Sequence, residues 1–155
     1  MPHIHEKIDF CAETFIVYKN KVLLRKHDKL KIWLSVGGHI ELDEDPNQGA
    51  VREVLEEVGL EVELYCEKER PTIAKDNYQS LICPQHLVRH NMTETHEHIV
   101  FVYYAKANSD ELTLCKTEVT DGCKWFTKEE ITKNDFGIAE DVRLYALEAL
   151  DKLAE

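Results

Sequence analysis

The stretch GHIELDEDPNQGAVREVLEEVGL, from Gly38 to Leu60, marks both ends of a helix and loads one side of it with negative charge. Asp45 is a good N-cap, and Pro46 follows at the first helical position, where its missing N–H costs nothing. Gly59 stands where a left-handed C-terminal cap belongs. These signals predict a helix from Pro46 to Val58. At about 100° per residue, Ala50, Val51, Val54, Leu55 and Val58 share one arc that must be buried against a sheet. Arg52, Glu53, Glu56 and Glu57, with Gly49 among them, fill the complementary arc, which is left to face a cleft or water. The three glutamates are spaced i, i+3 and i+4, so they are neighbours that repel by about 0.2–0.5 kcal/mol per pair. A divalent cation bound there reverses that penalty.

A solvated helix face normally mixes charges to gain salt bridges, whereas this one sets three carboxylates against one arginine. A Gly37-Gly38 turn and the acids Glu41 and Glu44 precede it. Glycine there lets backbone carbonyls approach a cation or phosphate closely. Hard cations such as Mg²⁺ take oxygen ligands, commonly a few carboxylates together with substrate phosphates.

The full pattern is Gly38, five residues, Glu44, seven residues, Arg52-Glu53-Val54, one residue, Glu56-Glu57, one residue, Gly59-Leu60. It resembles the signature of the Nudix hydrolase family at every defining position. VLLRKHDKLKIWLSVGGHIE ahead of it is similar to the strand and loop that lead into that box, and CKWFTKEEI to a late strand and helix start. One position departs: Val36 stands where many members have proline before the double glycine.

The resemblance implies an α/β fold, a mixed sheet sandwiched between helices. It also implies hydrolysis of a nucleoside diphosphate linked to another group, with Mg²⁺ or Mn²⁺ as cofactor. A pyrophosphate is a repelling polyanion, so the catalyst must neutralise charge and deliver water in line. On this reading Glu56 and Glu57 are metal ligands, joined by a carbonyl of Gly37 or Gly38. Glu53 is either a ligand or the general base, and Arg52 holds a neighbouring carboxylate in place. Glu44 braces the loop against the helix N-terminus. A base from outside the box is the other option, with Glu97 as its candidate and Glu94 behind it. His96 and His98 flank Glu97 and invite a zinc site, but two histidines without a third ligand at fixed spacing are a weak pattern. A substrate-contacting or structural role suits them better, and His39, inside the box loop, is by default a surface histidine, with contact to a phosphate as the alternative.

Two other activities share the scaffold. Prenyl-diphosphate isomerases tend to carry an altered box with a dedicated cysteine and glutamate, which this chain does not display. Non-catalytic nucleotide sensors tend to lose box glutamates and gain a DNA-binding domain. Nucleobase stacking has four candidates, Phe10, Trp33, Tyr78 and Trp125, the last better read as core; no secondary motif selects a substrate.

The 155 residues suit a single domain, burying about 68–70% of the unfolded chain's surface. A formal charge of −11 argues against a nucleic-acid binder, which needs basic surface to displace counterions. Small anionic substrates remain compatible, because bound cations reverse the local field. No run approaches the roughly 20 apolar residues of a membrane span, and no signal-peptide pattern opens the chain. Five cysteines without a C-x-x-C pair suggest reduced thiols in a cytoplasmic protein. A homodimer fits the resemblance without any residue deciding it. Elsewhere, Phe10–Tyr18 and Lys21–Arg25 predict a hairpin, Glu61–Tyr65 a strand, and Ser80–His90 with His98–Ala107 two strands, the second apolar on both faces. Gly122–Phe126 predicts a last strand, Thr127 and Glu130 a capping box, and the stripe Val142, Tyr145, Ala146, Ala149, Leu150, Leu153 a final helix from Ala139.

Overall fold

The computed structural model describes residues 6–113 and 122–155. Among them, eight strands form one mixed sheet with three helices. The strands are β1 (Ile8–Tyr18), β2 (Lys21–Lys26), β3 (Trp33–Leu34), β4 (Val36–His39), β5 (Val62–Leu64), β6 (His86–Asn91), β7 (Glu97–Ala107) and β8 (Cys123–Thr127). The helices are α1 (Pro46–Val58), α2 (Lys128–Lys133) and α3 (Glu140–Leu153). The predicted α/β class is the observed one.

The predicted hairpin forms as β1 and β2. Lys19 and Asn20 make its turn with φ of 43° and 63°, the left-handed pair whose twist matches antiparallel strands. Its long strand β1 runs parallel to β7 over ten register pairs, from Ile8 opposite Glu97 to Val17 opposite Lys106. On its other edge β1 pairs with β2 near its C-terminal end and with β4 near its N-terminal end. Strand β7 lies between β1 on one side and β5 and β6 on the other, the central position its apolar sequence predicts.

Alternation along these two strands sorts the core into two layers. Ala12, Tyr103 and Ala105 meet Ala50 of α1 on one face, where Ile16 and Ala107 also join Val54 and Val58. Cys11, Phe15, Val17, Val100, Val102 and Tyr104 meet Val142, Ala146, Ala149 and Leu150 of α3 on the other. The Thr127–Glu130 capping box opens α2 as expected. No helix among the described residues is long and apolar enough to cross a membrane.

Strand β6 starts at His86, later than the predicted Ser80. Asn47 explains the difference: its side chain donates to the Ile82 carbonyl (3.0 Å) and accepts from the Ile82 N–H (2.9 Å). Both backbone groups are thereby taken up by a helix side chain and lost to any ladder.

A second difference concerns the roll of α1. Val51 and Leu55, placed in the buried arc by periodicity, are 37% and 53% exposed, whereas Glu53 and Glu57 are buried at 3% and 5%. The stripe Ala50, Val54, Val58 is buried as expected, but the column Gly49, Glu53, Glu57 is buried beside it. Gly49 makes this rotation sterically feasible: a Cβ there would sit 3.1 Å from Glu44 Oε1 and 3.3 Å from Ile40 Cγ1.

Gly37 is required for a different reason. A Cβ on it would lie 2.2 Å from the Ala12 carbonyl oxygen, in the β1–β4 ladder. Gly37→Ala is therefore expected to cost about 1–3 kcal/mol or more by overpacking against backbone, measured as a lower urea midpoint.

Candidate active site

Helix α1 is fixed at both ends. Asp45 accepts from the Gln48 N–H (2.9 Å) while the Gln48 side chain accepts from the Asp45 N–H (2.9 Å), closing a capping box. Gly59, at φ 70°, returns its N–H to the Leu55 carbonyl. The helix therefore presents its polar side chains from a rigid frame.

Arg52 is the hub. Its Nε and Nη2 grip Glu44 with a fork of bonds at 2.9 Å to Oε2 and 2.7 Å to Oε1. Nη2 also donates to the His39 carbonyl (3.0 Å), and Nη1 to Glu53 Oε1 and Glu56 Oε2, each at 3.1 Å. Glu44 in turn accepts from the Glu41 N–H at 2.8 Å, so the 41–44 loop is tied to the helix through one guanidinium. The hydrogen bonds from Arg52 hold the Glu44 carboxyl below its ordinary range, and Glu44 raises Arg52 further still.

Glu57 faces the sheet. Its Oε2 lies 3.4 Å from Arg25 Nε on β2 and accepts from the Gly37 N–H at 3.3 Å. The structure thus brings Gly37, Glu44, Arg52, Glu53, Glu56 and Glu57 together, with Gly38 next along β4. With Arg25 included, four carboxylates meet two guanidinium groups here. The imbalance of two negative charges is what one divalent cation would neutralise, and all the side-chain donors are oxygens of the kind Mg²⁺ and Mn²⁺ take.

Glu97 lies elsewhere. It opens β7 opposite Ile8, while Gly37 sits opposite Glu13, which pairs with Val102. Five strand residues separate the two levels, about 16 Å at roughly 3.3 Å per residue. Its carboxylate is gripped by Arg89 at 3.0 and 2.8 Å, which holds it below the ordinary range. The sequence offered Glu97 as a candidate base because a strand end beside the helix is possible without register; the β1–β7 pairing separates the two. Glu94 is exposed in the turn before β7.

Of the aromatic residues, Tyr78 is 55% and Phe10 45% exposed, whereas Trp33 packs edge-on against Phe126 at 5.0 Å. Trp125, partly buried, packs near Tyr18 and donates from Nε1 to the Asp110 carbonyl. Arg25 was not foreseen: it lies 13 residues before the box in an ordinary strand, and only the β2–β4 arrangement brings it to Glu57. The described cysteines are free, and Cys115 lies outside the described residues. Burial pushes the Cys11 thiol up to about 12.

The profile of the NUDIX domain matches residues 14–147. The chain belongs to the Nudix hydrolase family. A crystal structure of a Nudix-family hydrolase from Clostridium perfringens is 38% identical, with a TM-score of 0.81, covering 94% of this chain and 97% of that one. Two further Nudix-fold structures show the fold alone. A MutT Nudix hydrolase from Burkholderia pseudomallei is 20% identical with a TM-score of 0.65, covering 96% of this chain and 100% of that one. An Ap4A hydrolase from C. elegans, also 20% identical, has a TM-score of 0.62 and 93% coverage of each chain. Comparison with curated protein sequences gave no match. Membership of the family makes this chain a Nudix-type hydrolase.

Proposed function

We propose that this Nudix hydrolase, acting as one domain in the cytoplasm, cleaves a pyrophosphate bond in a nucleoside diphosphate linked to another group, by attack of water on phosphorus. The observation that supports this most is the unbalanced carboxylate cluster on α1, held rigid by Arg52 and Arg25. Glu56 and Glu57, with the Gly37 carbonyl, would hold Mg²⁺ or Mn²⁺. When bound, the cation supplies charge neutralisation at the phosphoryl oxygens and makes water more acidic. Glu53 takes the proton of the attacking water, because it is the buried carboxylate that shares Arg52 Nη1 with the exposed Glu56 and Glu97 is out of reach. Arg52 holds Glu53 and Glu56 in the rotamers this requires, and Glu44 holds Arg52.

Substrate choice is tested with a panel. MutT and Ap4A hydrolase structures share this fold, so nucleoside triphosphates and dinucleoside polyphosphates belong on it beside nucleotide sugars. Release of phosphate or pyrophosphate in Mg²⁺, abolished by a chelator, is the expected result. Inactivity across the panel in both Mg²⁺ and Mn²⁺ would refute the reading. Glu97→Gln is expected to keep turnover within about twofold of wild type. A loss as large as that of a box glutamate would return the base role to Glu97.

A further inference from the structure

The sheet face turned away from α1 carries a second set of metal-ligating side chains that the box does not use. Asp9 and Cys11 point there from β1, because Cys11 shares its layer with Val100 and α3. Register places His98 of β7 opposite Asp9, and His39 of β4 opposite Cys11. His96, just ahead of β7, completes the group. Asp9, His39 and His96 are buried, at 1%, 7% and 7% exposure.

The donor atoms converge. His96 Nε2 lies 3.3 Å from Asp9 Oδ2, and His39 Nε2 lies 3.7 Å from the same oxygen and 3.5 Å from His98 Nε2. Asp9, His96 and His98 offer ligand atoms all within 4.8 Å of one another. For zinc, with bonds of about 2.0–2.1 Å in a tetrahedron, neighbouring donors sit roughly 3.3–3.4 Å apart. Three donor pairs of the cluster are thus close to that spacing, and His39 also lies with Cys11 and His98 in a second triad whose ligand atoms are within 4.8 Å. A cavity of about 330 Å³ lined by Glu6, Met92, Thr93, Thr95, His96 and His98 connects it to solvent. An ion pair between a histidine and Asp9 is the simpler arrangement, yet the same carboxylate oxygen faces two imidazoles, at 3.3 and 3.7 Å, with a third imidazole 3.5 Å beyond.

We propose that Asp9, His96 and His98, with His39 as the fourth donor, form a zinc site on the face opposite the box helix. Imidazole nitrogens suit zinc and its neighbours in the transition series, whereas Mg²⁺ prefers oxygen, so the two sites select different ions. Such a site would pin β1, β4 and the start of β7 to one another. In sequence only the His96 and His98 pair was legible, because Asp9 and His39 join it through strand register.

The test uses tag-free protein, loaded with Zn²⁺ in excess Mg²⁺, desalted and analysed for metal by mass spectrometry, with Co²⁺ absorption as a geometric probe. One zinc per chain, a raised Tm and the intense visible bands of tetrahedral Co²⁺ are expected. His96→Ala and His98→Ala should each abolish stoichiometric zinc, and the near-isosteric Asp9→Asn should weaken it at least roughly tenfold. Circular dichroism establishes that each variant is folded; Asp9→Asn decides the matter if a histidine variant is not. His86→Ala, which removes a histidine paired with Glu148 at 3.2 Å, and Glu56→Gln should leave zinc unchanged. Substoichiometric zinc in the wild type, or equal zinc in wild type and the folded cluster variants, would overturn the proposal.

Discussion

Glu56→Gln is expected to lower turnover about 100-fold or more while leaving Tm unchanged. The size follows from the several kcal/mol that a bound cation contributes to a phosphoryl transition state, at about 1.4 kcal/mol per tenfold. The selectivity follows from exposure: the Glu56 side chain is 58% accessible, and its one hydrogen bond to Arg52 is at the surface. An exposed pair of that kind contributes at most about 1 kcal/mol to stability. Steady-state kinetics beside thermal unfolding separates the two effects. Wild-type turnover in a folded variant would remove Glu56 from the metal site.

Arg52→Ala is expected to damage both activity and stability. The substitution removes the fork on Glu44 and the bonds to Glu53, Glu56 and the His39 carbonyl in one step. Glu44 and Glu53, whose side chains are 11% and 4% accessible, lose the guanidinium that pairs with them, at a cost of about 1–3 kcal/mol. Turnover should fall by roughly 10–100-fold, because the glutamates lose the group that orients them. Arg52→Lys keeps the charge but not the planar fork, and should recover only part of the loss.

The stability difference has a pH signature. Arg52 depresses the folded-state carboxyl of Glu44, so this contribution is fully present above the unfolded value of about 4.3. It disappears as pH falls through the folded value. Urea midpoints of wild type and Arg52→Ala, measured with chelator present, should differ most at neutral pH and converge in acid. A gap that widened in acid would contradict the assignment.

The sequence was informative where the physics is local. Asp45, Pro46 and Gly59 act on their own helix, and the observed helix spans Pro46–Val58 as they predict. The turn at Lys19-Asn20 and the Thr127–Glu130 capping box are equally short-range. Failures came where distant residues decide. Hydrophobic periodicity rolled α1 toward Val51 and Leu55, since it scores glutamate as exposed. Arg25 and the Gly37 N–H, both remote in sequence, instead supply partners that let Glu57 be buried. Val51 and Leu55 are displaced outward as a result. Glu97 and the buried His39 followed the same logic: their neighbours are set by strand register, which leaves no mark in a single chain's pattern.

The central claim, that the α1 carboxylates hold the catalytic cation, is tested most directly by calorimetric titration of Mn²⁺ into the protein with a diphosphate ligand present. The His96→Ala/His98→Ala background removes competition from the opposite face of the sheet. Saturable binding that is lost in both Glu56→Gln and Glu57→Gln is the predicted result. Undetectable binding, or binding that survives in both variants, would contradict it.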